Sequence, residues 1–256
     1  MPLLEVRNMS HDFGGLRAVS DYNLLIEPGQ VRGLIGPNGA GKTTVFNLLT
    51  GVYRPTEGEI LLEGKSIVGL QPHQIASMGL GRTFQELRLW RHMTVLEHVK
   101  MARYSKLGYG LIGAFFGTPK RHRKETENES KAYALLEMLG IKQLADQVVT
   151  NLSYGAQRRV EMARALAMEP KILFLDEPTA GMNPEELIQM MNIIREIKDR
   201  FGLAIFLIEH RLRMVMELCE IIQTLVFGKV IAEGTPEEIQ KNPKVIDAYL
   251  GTETVE

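Results

Sequence analysis

The chain has 256 residues, 45% of them hydrophobic, with 30 Lys and Arg against 31 Asp and Glu for a formal net charge of -1. That apolar share can bury a sizeable core in one domain with an inserted subdomain or in two small domains, and the balanced charge excludes an overall basic field that would recruit nucleic acid. The single cysteine, Cys219, excludes an internal disulfide framework and a cysteine-cluster metal site.

The N-terminal residues show no basic region followed by a long apolar run, so no secretory signal is read and the chain is expected in the cytoplasm. Apolar segments such as Ile172 to Leu175 and Leu203 to Ile208 are far shorter than the roughly 20 residues that span a bilayer. Any membrane role is expected to run through partners.

In chain order, Leu3 to Met9 and Val19 to Ile26 read as strands punctuated by Gly14-Gly15 and Pro28-Gly29, which predicts an antiparallel sheet. Phe13, just ahead of the glycine pair, is an aromatic that either stacks on a planar ligand ring or packs in the core. The apolar run Val31 to Ile35 then leads into Gly36-Pro37-Asn38-Gly39-Ala40-Gly41-Lys42-Thr43-Thr44, the strand, glycine-rich loop and helix order of a P-loop. Its glycines let successive N–H groups point at phosphate oxygens, and the helix beginning near Lys42 adds its positive dipole end. Lys42 is expected to reach the β- and γ-phosphates, and Thr43 to present a hydroxyl to Mg2+. The stretch implies a bound nucleoside triphosphate.

Gly51 reads as a helix C-cap, Gly58 to Gly64 as a further strand, and Leu80 to Phe84 as another. That last strand ends at Gln85, whose amide oxygen is available to a metal ion or a water. Thr94-Val95-Leu96-Glu97 has capping-box spacing and opens a helix through about Tyr104. From Leu107 to Lys124 come glycines, the apolar patch Leu111 to Phe116 and the basic run Lys120-Arg121-His122-Arg123-Lys124. This reads as an exposed connection, its basic run a solvated helix start or a phosphate or headgroup contact, its patch a partner contact. Ala132, Leu135, Leu136 and Leu139 recur at helical spacing up to Gly140.

Ser153 is a good N-cap for the helix carrying Val160, Ala163 and Ala167, and with Gly155 in the first turn it leaves N–H groups for a second anion site, although an ordinary cap explains it equally. Ile172 to Asp176 reads as a buried parallel strand whose C-terminal end faces the ligand crevice. There Asp176 is placed to hold Mg2+ through water, and Glu177 to orient or deprotonate a water for in-line attack on the γ-phosphate. Asn183-Pro184 begins a helix buried through Leu187, Met190, Met191, Ile194 and Ile197. Leu203 to Ile208 is a further strand ending in Glu209-His210, where His210 either contacts the γ-phosphate or packs. Leu212, Val215, Met216 and Cys219 share one helical face, so Cys219 reads as a core thiol. Gly228-Lys229 is read as a two-residue hairpin turn, Thr235 to Glu238 as a capping box, and Asn242-Pro243 as the start of a last helix.

This order resembles the nucleotide-binding subunit of an ATP-binding-cassette transporter from about Leu3 to Gly251. Gly36 to Thr44 matches the Walker A loop, Gln85 the Q-loop, Ile172 to Asp176 the Walker B strand, Glu177 the catalytic glutamate, His210 the switch histidine and Phe13 the adenine-stacking position. The resemblance implies a P-loop NTPase, RecA-like α/β core (residues 1–85 and 163–256) with an N-terminal antiparallel β subdomain and an inserted helical subdomain at 86–162. It implies ATP and Mg2+ as ligands, with Thr43, Gln85 and Asp176 around the metal and Ser153 and Gly155 facing phosphate from an opposing cassette. Leu152-Ser153-Tyr154-Gly155-Ala156 departs from the usual Leu-Ser-Gly-Gly-Gln, and Ala180-Gly181-Met182-Asn183 matches the D-loop with Asn183 where aspartate is common. Within the family, Gly81 to Gln85, Met93 to Glu97 and Val245 to Gly251 look most like the larger ATPase subunit of bacterial branched-chain amino-acid importers, with urea importers and lipopolysaccharide exporters as near rivals. The implied partners are transmembrane permease subunits, a second ATPase subunit and, indirectly, a periplasmic solute-binding protein, with no nucleic acid.

Overall fold

The computed structural model describes residues 1–84, 86–107 and 119–250. Two sheets share the first part of the chain. β1 (Leu4–Phe13) and β2 (Leu16–Ile26) form a hairpin, which β4 (Glu57–Leu62) and β5 (Lys65–Ser66) extend into an antiparallel sheet of order β2-β1-β4-β5. Both hairpin strands run longer than the sequence suggests, because Phe13 and Leu16 still pair at the turn.

The second sheet is built on β3 (Val31–Ile35), β6 (Leu80–Arg82), β7 (Ile172–Asp176), β8 (Ala204–Ile208), β9 (Ile221–Val226) and β10 (Lys229–Gly234), in the order β10-β9-β3-β8-β7-β6. β6, β7, β8, β3 and β9 are mutually parallel, and β10 joins antiparallel. Every residue of β3, β7 and β8 is buried, as strands covered on both faces require, and the charged Arg32 within β3 donates to Leu25 O and Glu233 Oε1.

One face of this sheet packs on α1 (Lys42–Leu49) and the antiparallel sheet, with α2 (Pro72–Ser77) alongside. Phe46 of α1 meets Phe174 and Phe206 at ring centroid distances of 5.0 and 5.2 Å. Burying one such ring contributes about 1.5–3 kcal/mol, so this trio fixes α1, and with it Lys42, over the sheet.

The opposite face packs on α3 (Val95–Leu107), α4 (Pro119–Met138), α5 (Tyr154–Ala167) and α6 (Pro184–Phe201), and Val99, Leu136, Val160, Leu173 and Met190 belong to one continuous core. The expected junction at residues 162 and 163 lies inside the uninterrupted helix α5. Thr94 and Glu97 make the expected reciprocal cap, as do Thr235 and Glu238 ahead of α8 (Pro236–Lys241). The basic run falls at the start of α4, whereas residues 108–118, with the apolar patch, lie outside the described residues.

Two local expectations are corrected. The hairpin turn is Phe227-Gly228, not Gly228-Lys229: Val226 pairs with Lys229, and both turn residues take positive φ, 46° and 76°. Gly228 N donates to Ala40 O at 2.8 Å, so this turn braces the P-loop from behind. α7 (Leu212–Leu218) stops before Cys219, and Leu212 is exposed, so the buried side of that helix is Met214 and Val215. Cys219 is nonetheless buried, and burial pushes its thiol pKa up. A last helix, α9 (Pro243–Leu250), follows Asn242-Pro243. Among the described residues no helix is long and apolar enough to cross a membrane.

Candidate functional site

The P-loop turns sharply between β3 and α1, and two of its glycines are steric necessities. A Cβ at Gly36 would stand 2.1 Å from Leu225 O, and one at Gly41, whose φ is 104°, would stand 2.8 Å from Ala18 O. Asn38, Gly39, Ala40, Gly41, Lys42, Thr43 and Thr44 line a cavity of about 680 Å³, and Glu177 and His210 line its other side. Thus a loop near residue 40 and the ends of β7 and β8 converge on one space.

Lys42 is buried, and its Nζ donates to Gly36 O at 2.7 Å and Pro37 O at 2.9 Å. Desolvation lowers its pKa, against which Glu177 and then Asp176 hold the charge. Asp176, the last residue of β7, is 2% exposed. Burial raises its carboxyl pKa, opposed by Arg82, whose Nη2 donates to Asp176 Oδ2 at 3.3 Å. The same guanidinium donates to Asn47 Oδ1 and Thr50 Oγ1, tying β6, α1 and β7 together.

Glu177 occupies the left-handed region with φ 47°, an uncommon conformation for a non-glycine residue and one that concentrates at functional sites. Its backbone N–H donates to Ile208 O at 2.9 Å, which registers it against the end of β8. His210 Nε2 lies 2.7 Å from Glu177 Oε1. Behind His210, buried Glu209 accepts from Thr179 N and Thr179 Oγ1 through one oxygen, and from His210 N and Arg211 N through the other. This carboxylate fixes both the histidine backbone and the turn after Glu177.

The remaining expected residues lie elsewhere. Gly36 and Pro37 act through their carbonyls on Lys42. Phe13 is 45% exposed, edge-on to His11 at 4.5 Å and to Tyr53 at 5.3 Å, and is not part of the cavity lining. Ser153 caps α5, its Oγ accepting from Ala156 N at 3.3 Å, and neither it nor Gly155 lines the cavity. Gln85 lies outside the described residues. The sequence reading missed Arg82, Glu209, Arg211 and the pair Arg158 and Glu161. Of these only Glu209 carried a local signal, as an acid directly after an all-apolar strand.

Residues 19–180 match the family described as ABC transporter, and residues 229–255 match the one described as branched-chain amino acid ATP-binding cassette transporter. The high-affinity branched-chain amino acid transport ATP-binding protein LivG of Escherichia coli (strain K12) is 46% identical over 250 residues, 98% of each chain. The corresponding protein BraF of Pseudomonas aeruginosa is 44% identical, again over 98% of each chain. A solved ADP conformation of an ATP-binding cassette of an ABC transporter superposes with a TM-score of 0.85 at 32% identity, covering 98% of this chain and 99% of that one. With its P-loop core, antiparallel β sheet and helical face, the chain belongs to the ABC transporter family, as one of its ATP-binding ATPase subunits.

Proposed function

We propose that this chain hydrolyses ATP to drive a membrane importer of branched-chain amino acids. The observation that carries the chemistry is the single cavity shared by the P-loop, Glu177 and His210. The solute assignment rests on residues 229–255 and on relatives such as LivG and BraF.

In this reading the loop N–H groups of residues 38–44 bind the triphosphate, and Lys42 exchanges the carbonyls of Gly36 and Pro37 for β- and γ-phosphate oxygens. Phe13 stacks on adenine from the end of β1. Glu177 takes or orients a proton of the attacking water, and His210 holds the Glu177 carboxylate and meets the γ-phosphate. The water oxygen bonds to the γ-phosphorus as the bond to the β–γ bridging oxygen breaks.

Thr43, Asp176 and Gln85 are the metal-binding candidates. Thr43 lines the cavity, and both Asp176 and Glu177 act electrostatically on Lys42, so this donor set offers oxygen alone, which suits Mg2+. When bound, Mg2+ neutralises developing charge on the phosphate oxygens.

The P-loop supplies donors to one side of the triphosphate, while Ser153 and Gly155 sit away from that cavity. We assign them to the opposing cassette's nucleotide, in a sandwich with a second copy or a second ATPase subunit. Permease subunits complete the transporter at the inner face of the membrane, and a periplasmic solute-binding protein acts at a distance. Reconstitution with cognate permease and binding protein tests the solute. Leucine, isoleucine or valine should stimulate ATP hydrolysis, whereas stimulation by urea alone overturns the assignment.

A further inference from the structure

Tyr154 is the residue at which α5 departs most in size from the glycine expected at that place, and its contacts point in two directions. Its hydroxyl accepts from Arg158 Nη2 at 2.7 Å, and the Arg158 guanidinium lies 5.2 Å from its ring centroid. Arg158 Nη1 donates onward to Phe84 O at 2.6 Å and to Glu161 Oε2 at 3.2 Å. Glu161 Oε1 in turn accepts from Phe84 N at 2.9 Å. Two side chains of α5 therefore hold both the N–H and the C=O of the residue directly before position 85.

Arg158 and Glu161 are each 3% exposed. A buried pair of this kind moves as a unit, because separating it from its partners leaves a desolvated charge unpaired.

On its other side, Tyr154 covers the turn at Gly181. A methyl at Gly181 would stand 3.3 Å from Tyr154 Cε1, so the ring edge lies against that backbone. The neighbouring residues are held from the nucleotide side: Thr179 by Glu209, and Met182 O by Arg211 Nη2 at 2.6 Å. Tyr154 is itself 43% exposed, so it earns its place through these contacts more than through burial, and replacing it leaves the core intact.

We propose that Tyr154 is a positioning residue that links the backbone before position 85 to the turn at Gly181, so that nucleotide binding at one is transmitted within the chain to the other. The inference rests on the ATPase reading above. A glycine at 154 offers neither the hydroxyl nor the ring, so this linkage is a property of the tyrosine. It makes the two segments respond together before a second cassette arrives.

The test is amide hydrogen exchange on the full chain carrying Glu177→Gln, with and without Mg-ATP, at concentrations where it sediments as a single subunit. Mg-ATP should slow exchange in residues 86–93 and in residues 178–183. Adding Tyr154→Phe, which keeps the ring and removes the hydroxyl, should preserve the first response. It should cut the second by about threefold or more, the scale of one hydrogen bond's net contribution. Tyr154→Gly should abolish the second response. With Glu177 intact, both variants should lower kcat by about threefold to tenfold on the same scale while KM for Mg-ATP stays within about twofold. Equal responses in all three proteins, or an unresponsive 178–183 segment before Tyr154 is changed, overturn the linkage while leaving the ATPase reading standing. A wild-type chain that fails to hydrolyse Mg-ATP overturns both.

Discussion

His210 Nε2 stands 2.7 Å from Glu177 Oε1, joining the ends of two adjacent parallel strands at the mouth of the P-loop cavity. The Glu177 side chain is the less exposed of the two, at 17% against 40%, so the histidine lies on the solvent side of the carboxylate. Glu177→Gln should bind Mg-ATP and hydrolyse it about a hundredfold more slowly or worse, the scale of lost general-base help. Single-turnover hydrolysis with separate nucleotide-binding measurements checks this. Near-normal turnover removes Glu177 from the role.

Arg82 and Asp176 form a second pairing, buried beneath the first. Burial already raises the Asp176 carboxyl pKa, and Arg82 opposes that rise. Arg82→Gln removes that opposition and should raise it further. The acidic limb of the pH profile of ATP hydrolysis should therefore move to higher pH, with more Mg2+ needed for half-maximal rate. An unchanged limb and Mg2+ requirement would separate Asp176 from the metal.

His98 offers a stability prediction with a defined sign. Its Nδ1 lies 2.7 Å from Thr94 O and its Nε2 accepts from Trp90 N at 2.9 Å, so the ring is neutral with the proton on Nδ1. Desolvation lowers its pKa below the ordinary histidine value of about 6.5. As pH falls below about 6.5, the unfolded chain takes up a proton that the folded chain refuses, and stability declines until the folded pKa is passed. Urea unfolding between pH 7 and about pH 5 should show this slope, and His98→Gln should flatten it. A slope identical in both proteins assigns the acid sensitivity elsewhere.

The segment after Gln85 is expected to meet a cytoplasmic helix of the permease. Leu89 packs against the core, whereas Trp90 is 49% exposed with the Arg164 guanidinium 4.8 Å from its ring. Trp90 is therefore the better probe, since Leu89 also supports folding. Trp90→Ser should weaken pull-down of the permease subunits and impair transport while nucleotide binding is unchanged. Retention of both pull-down and transport places the permease contact elsewhere.

What the sequence made legible is what is contiguous in it. The P-loop, the strand ending in Asp176-Glu177, the Thr94, Asn183 and Thr235 caps and the buried stripe of α6 all depend on residues within a few positions of each other. The residues that brace the site do not. Arg82 reaches Asp176 across 94 positions and Arg158 reaches Phe84 across 74, so no periodicity or short spacing marks them. The turn at Phe227-Gly228 was misplaced by one residue because an exposed phenylalanine at positive φ runs against turn propensity. Asn183, standing where aspartate is common in the family, caps α6 with its side chain, accepting from Glu185 N and Glu186 N without a charge.

Ser153 and Gly155 lie outside the cavity that the P-loop forms, which is why the nucleotide is proposed to sit between two cassettes. In the proposed sandwich, ATP would shift the population toward the closed pair through its γ-phosphate, a contact that ADP lacks. Sedimentation of Glu177→Gln protein, alone and with its cognate ATPase partner, measures this directly. Mg-ATP should increase association relative to ADP in at least one of the two mixtures, and Ser153→Arg should remove that increase without weakening ATP binding to the single subunit. Association that is the same with ATP, with ADP and without nucleotide in both mixtures would contradict the sandwich.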